Sequence, residues 1–130
     1  MTVQLAVVGA HLRGQPLNHQ LLDLGAVFSR PALTAPIYRL FALANTSPPK
    51  PGMIRSSVGA SIGLEIWELT AEGFGIFVAG VPPPLSIGNI ILSSGGSVKG
   101  FLCEEIALAG SEDITSFGGW RAFLARSAKA

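Results

Sequence analysis

The segment Gly9-Ala10-His11-Leu12-Arg13-Gly14 carries the residue type best suited to acid–base work near neutral pH. An imidazole titrates close to neutrality and can give or take a proton there. His11 lies just after the apolar run Val3–Val8 and ahead of a helical pattern, in a loop with glycine at both ends. That setting offers free backbone amides and a helix N-terminus, the ingredients of an anion pocket. Gly9, Ala10 and Leu12 then become contacts for a ligand, with Asn18 beside them. The plainer reading is a loop histidine donating to a carbonyl, with Asn18 as no more than a helix cap. His19 falls in the first turn of the helix, where a solvated side chain is the ordinary outcome, and stands as the alternate histidine. Tyr38 and Arg39 are neighbours on a predicted strand, so one faces inward and the other outward. Whichever lines the sheet's interior would be the functional one of the pair.

Other chemistries lack their residues. His11 and His19 share no helical register for a metal, and Asp23 is the one acid near them. No G-x-G-x-x-G, G-K-[ST] or G-x-S-x-G pattern occurs. Neither a metal nor a cofactor is expected. The aromatics sit in apolar runs rather than among bases, so no nucleic-acid surface is expected. The single cysteine, Cys103, excludes an internal disulfide; beside Glu104 it has no activating charge and reads as core. Lys99, on a predicted strand, reads as a snorkelling side chain.

The elements that must position His11 follow from the apolar pattern. Val3–Val8 predicts a buried strand. Leu17, Leu21 and Leu24 repeat at helical spacing after Asn18, and Gly25 is a plausible stop. Ile37–Leu43 predicts a second strand. Residues 44–57, with Pro48, Pro49, Pro51 and Gly52, predict a loop. Residues 62–69 alternate as a third strand, and Thr70 caps a short helix that stops at Gly80. Pro82-Pro83-Pro84 predicts rigid extended chain. Ile87–Leu92 and Ser97–Glu104 form a hairpin through Ser93-Ser94-Gly95-Gly96. A last helix carries Trp120, Phe123 and Leu124 on one face, with Ser116 as its cap. Five strands and three short helices without regular alternation predict an α+β fold, a small mixed or closed sheet with helices outside.

At 130 residues the chain reads as one domain, residues 1–130. With 48% hydrophobic and 13% charged residues it is neither disordered nor a long exposed helix. A net charge of +1 gives no global attraction to nucleic acid or anionic lipid. The most apolar stretch, Val58–Leu92, is broken by Glu65, Glu68, Glu72 and the three prolines, so no membrane span is expected. Without a secretory pattern at Met1–Gln4, a soluble cytoplasmic protein is expected. So few charges also leave room for a homodimer. The first sixty residues hold Arg13, Arg30, Arg39, Lys50 and Arg55 against the single acid Asp23, whereas the rest is acidic. Either the halves pair in three dimensions, or the first half builds an anion site.

Several runs resemble one known family. Val7-Val8-Gly9-Ala10-His11-Leu12 with Gly14, Pro16-Leu17-Asn18 and Gln20-Leu21 is similar to the start of the C-terminal domain of allophanate hydrolases. Thr34-Ala35-Pro36, Tyr38-Arg39-Leu40, Pro49-Lys50-Pro51-Gly52, Trp67-Glu68-Leu69, Pro84-Leu85 with Ile87-Gly88, and Val98–Glu104 continue the match in order. Asp113-Ile114-Thr115 with Phe117-Gly118-Gly119-Trp120-Arg121 is its strongest part. The resemblance implies a γ-glutamyl cyclotransferase-like fold, a small β-barrel with flanking short helices. In cyclotransferases the loop after the first strand binds substrate through its amides, and Val8–Leu12 occupies that place. Their general acid/base glutamate falls in a region that here reads Phe77–Leu85 and holds no acid, so their activity is not implied unless Glu65 or Glu104 replaces it. The resemblance implies cofactor-free decarboxylation of N-carboxycarbamate, a small dianion of urea breakdown, with His11 as catalytic residue. The amidase part of those enzymes is missing, and a start at Met1 suggests a stand-alone chain served by a separate amidase partner. The alternative is a non-catalytic module that binds a small carboxylate or a protein partner.

Overall fold

The computed structural model describes residues 1–129, with side chains up to Arg126. A five-stranded sheet runs β2 (Val27–Leu33), β5 (Gly63–Thr70), β1 (Thr2–Val7), β7 (Ser97–Cys103) and β6 (Leu85–Ile91), in that spatial order. A three-stranded sheet runs β4 (Pro51–Arg55), β3 (Tyr38–Ala42) and β8 (Glu112–Asp113). Three helices, α1 (His19–Leu22), α2 (Ala71–Ala79) and α3 (Trp120–Lys129), complete the α+β fold. Among the described residues no helix is long and apolar enough to cross a membrane.

β1 lies between β5, to which it is antiparallel, and β7, to which it is parallel. Leu5, Ala6 and Val7 are buried in succession because both faces of this central strand are covered. α2 packs on β1 and β5, and β4 of the smaller sheet packs on β7. Leu40, Met53, Ile62, Ile66, Leu69, Ile90 and Ile114 fill the core between them. The start of α2 follows its sequence signal: the Thr70 side chain accepts from the Gly73 amide at 3.0 Å.

The expected barrel does not close. Edge strands β2 and β6 meet only at the bridge between Thr34 and Leu92, and β3, β4 and β8 form a sheet of their own. β2 carries Pro31 and an irregularity between Phe28 and Arg30, marks of an edge strand that a further ladder cannot extend. Three local expectations also change. Residues 51–55 are strand β4 rather than loop, because Pro51 sits at the first strand position, where a missing N–H is tolerated. Pro82–Pro84 makes a turn, with a cis Pro83–Pro84 peptide and the Leu85 amide donating to Pro82 O, not an extended rod. Ser116 lies in a short 3-10 turn and does not cap α3.

Candidate functional site

The chain leaves β1 at Val7 and turns sharply through Gly9. A Cβ at Gly9 would lie 2.2 Å from Pro51 Cδ, so glycine alone lets this loop pack against the start of β4. That contact brings Lys50 beside the loop. The Leu12 amide donates to Gly9 O (3.0 Å), the Leu17 amide to Ala10 O (2.8 Å), and Asn18 Nδ2 to His11 O (2.8 Å). Asn18 therefore does not cap α1: its backbone is already helical and its amide secures the His11 carbonyl. Among the described residues, the buried Ala10 and His11 amides have no acceptor.

His11 is buried, 8% exposed. It stacks on Phe101 at 5.0 Å between centroids and meets Phe77 edge-on at 5.1 Å. Its Nε2 lies 2.7 Å from Gln20 Oε1. With an amide oxygen as neighbour, Nε2 carries the proton and Nδ1 the lone pair. Burial lowers the His11 pKa below the ordinary value; the Gln20 hydrogen bond raises it, and the charges of Lys50 and His19 lower it further. Burial therefore favours the neutral form of the resting ring.

Beside it opens a cavity of about 510 Å³ lined by His11, Gln20, Asp23, Lys50, Phe77 and Phe101, with apolar walls from Leu17, Leu24, Val81 and Leu85. A small recess of about 20 Å³ shares His11, Lys50, Leu85 and Phe101 with it and is also lined by Gly9 and Ala10. The charge of the first half resolves here. Arg13 pairs with Glu65 and Arg39 with Asp113, so these two cations are matched by acids of the second half. Among the described residues Lys50 makes no ion pair, and it lines the cavity beside His11.

The remaining expected residues lie elsewhere. Tyr38 is the inward member of its pair, fully buried, and its hydroxyl accepts from the Ile91 amide at 2.8 Å. Arg39 faces outward, paired with Asp113 and donating to Val58 O. Neither lines the His11 cavity; the strand placed one in the core and the other on the opposite face. Leu12 lines a second cavity, beside Arg13 and Glu65. His19 is exposed, with Nδ1 3.0 Å from Pro16 O. Glu65 also misses the His11 cavity, and four donors hold it ionised. Burial alone would raise its pKa, but the Arg13 amide and guanidinium, the Trp67 indole and Arg121 outweigh that and lower it. Glu104 is exposed and outside the cavity. Sequence reasoning missed Gln20, Phe77 and Phe101 as cavity residues. Lys50 stands out in the sequence as one member of the basic first half and within the Pro49-Lys50-Pro51-Gly52 run. Among the described residues no three His, Cys, Asp or Glu side chains cluster as a metal site.

Comparison with known proteins places this geometry. The chain matches the allophanate hydrolase C-terminal domain over residues 3–125. It belongs to that family. Urea amidolyase of Saccharomyces cerevisiae is 43% identical over 128 residues, 95% of this chain and 7% of that protein. Kluyveromyces lactis allophanate hydrolase is 42% identical with a TM-score of 0.93, over 97% of this chain and 21% of that one. A uropathogenic E. coli-specific protein matches end to end: 35% identity, TM-score 0.89, over 96% of this chain and 97% of that one. So the same family domain occurs as a small part of long enzymes and as nearly the whole of a solved chain.

Proposed function

We propose that this domain decarboxylates N-carboxycarbamate, or a closely similar small dianion, in the cavity beside His11. The observation that carries the reading is the convergence on one cavity of the His11 imidazole and Lys50, which makes no ion pair among the described residues, next to two amides without acceptors among those residues. Family membership supports it, since relatives bear the names allophanate hydrolase and urea amidolyase.

In this mechanism Lys50 and the Ala10 and His11 amides hold one carboxylate. The second carboxylate lies against the wall of Phe77, Phe101 and Leu85, where a departing neutral molecule is favoured over a charge. Entry of the dianion reverses the effect of Lys50 on His11 and raises its proton affinity, so the ring takes a proton from solvent. The carbon–nitrogen bond then breaks and its electron pair stays on nitrogen. His11 delivers its proton to that nitrogen, leaving carbon dioxide and a carbamate. The open mouth lets His11 regain a proton from water.

The substrate would come from an amidase acting on allophanate. The runner-up is a binding module for a small carboxylate without turnover. The lowered pKa of His11 favours it, because a general acid must first be charged. The test is carbon dioxide release from N-carboxycarbamate generated in place by an allophanate amidase. The proposal expects the added domain to accelerate release. A rate equal to that of the amidase alone would leave the binding module.

A further inference from the structure

Glu65 is a carboxylate 2% exposed, in mid-strand on β5, outside the His11 cavity. Its partners reach it from three parts of the chain. The Arg13 amide donates to Oε1 at 2.9 Å and Arg13 Nε to Oε2 at 3.1 Å. Trp67 Nε1 donates to Oε1 at 3.2 Å, and Arg121 Nη2, from the first turn of α3, donates to Oε2 at 3.0 Å. The same Arg121 nitrogen donates to Arg13 O at 2.7 Å, so both the amide and the carbonyl of Arg13 are fixed from outside the loop. The Arg13 guanidinium also lies over the Phe28 ring, 3.7 Å from its centroid.

Arg13 is two residues beyond His11. Inside the loop, Asn18 holds the His11 carbonyl and Leu17 the Ala10 carbonyl. The Gln15 amide also holds the Leu12 carbonyl at 3.0 Å, but the Arg13 amide and carbonyl are held from outside the loop, by Glu65 and Arg121. We propose that Glu65 and Arg121 are positioning residues that clamp the outer end of the His11 loop, so that docking of α3 aims the Ala10 and His11 amides and the imidazole into the cavity. This rests on the proposed use of that cavity for a small dianion. It also gives the Trp120-Arg121 motif a role that packing of Trp120 alone does not explain. A buried charge with four donors is a costly structure, and removing one donor leaves the rest of the network to rearrange.

The test uses the full chain and malonate, which has a methylene where N-carboxycarbamate has nitrogen. Arg121→Ala is compared with wild type and with Arg126→Ala, a cation on the same helix that pairs with Glu112 and makes no contact with the loop. In ligand-free Arg121→Ala the NMR signals of the Ala10 and His11 amides and the His11 ring should move. Malonate affinity should fall by roughly fivefold or more. Free guanidinium ion, which fills the space of the lost side chain, should reverse both effects, and Arg126→Ala should show neither. Unmoved His11-loop signals in Arg121→Ala would overturn the clamp, as would changes that guanidinium does not reverse or that Arg126→Ala reproduces. Failure of wild type to bind malonate would instead refute the cavity reading, and the ligand-free spectra would still decide the clamp.

Discussion

Binding of a dianion should make His11 more basic, and the size of the change follows from its surroundings. In the empty protein, burial, Lys50 and His19 all push the ring toward its neutral form, against the Gln20 hydrogen bond. A unit charge about 5 Å away at an effective dielectric constant near 20 is worth about 3 kcal/mol. That corresponds to roughly two pKa units, before screening by water at the open mouth and by Asp23 on the same wall reduces it. A rise of about one unit or more on saturation with malonate is therefore expected. The sign sets the pH dependence: malonate binding takes up a proton, so affinity grows as pH falls toward the free-state pKa of His11. Titration of the His11 ring by NMR, with and without malonate, measures the change directly. Calorimetry in two buffers of different ionisation enthalpy counts the protons. A His11 pKa that stays put or falls when malonate binds would refute the electrostatic reasoning.

Replacement of Lys50 by Met removes the cation but keeps both backbone hydrogen bonds of residue 50, so the fold should persist while malonate affinity falls ~10- to 100-fold by calorimetry. Gly9→Ala drives a methyl into the Pro51 ring and should cost about 1–3 kcal/mol in denaturant unfolding, with malonate binding weakened as well. Acid should destabilise the domain in two windows. The lowered His11 pKa contributes stability fully present above about pH 6.5 and lost as pH falls toward the folded value. The lowered Glu65 pKa contributes stability present above about pH 4.3 and lost below it. His11→Gln should flatten the upper window in melting curves and leave the lower one in place.

The elements legible in the sequence were those whose local signals agreed with their surroundings. Val3–Val8 is apolar apart from Gln4 and forms most of the central strand; Thr70 has the side chain a helix start needs; Ser93–Gly96 joins two clear strands. β2 was invisible because its exposed edge carries Arg30 and Pro31 and an irregular register, which erase the alternation. β4 hid behind Pro51-Gly52, a turn signal that here opens a strand. Closure of a sheet is a property of edges that meet, and no local pattern reports it. His11 was legible from its type and its glycine loop. The inward turn of Tyr38 and the outward turn of Arg39 depend on which side of β3 the larger sheet packs, so alternation could pose the choice but not resolve it. Lys50 reaches His11 only because a bare Gly9 admits the Pro51 ring, a long-range fit.

The most direct measurement is carbon dioxide release from amidase-generated N-carboxycarbamate by His11→Ala, run beside its melting curve. The account predicts a rate no faster than the amidase alone at a temperature where the melting curve shows the variant folded, although loss of the buried ring from beside Phe77 and Phe101 lowers its melting temperature. A variant that releases carbon dioxide as fast as wild type would contradict it.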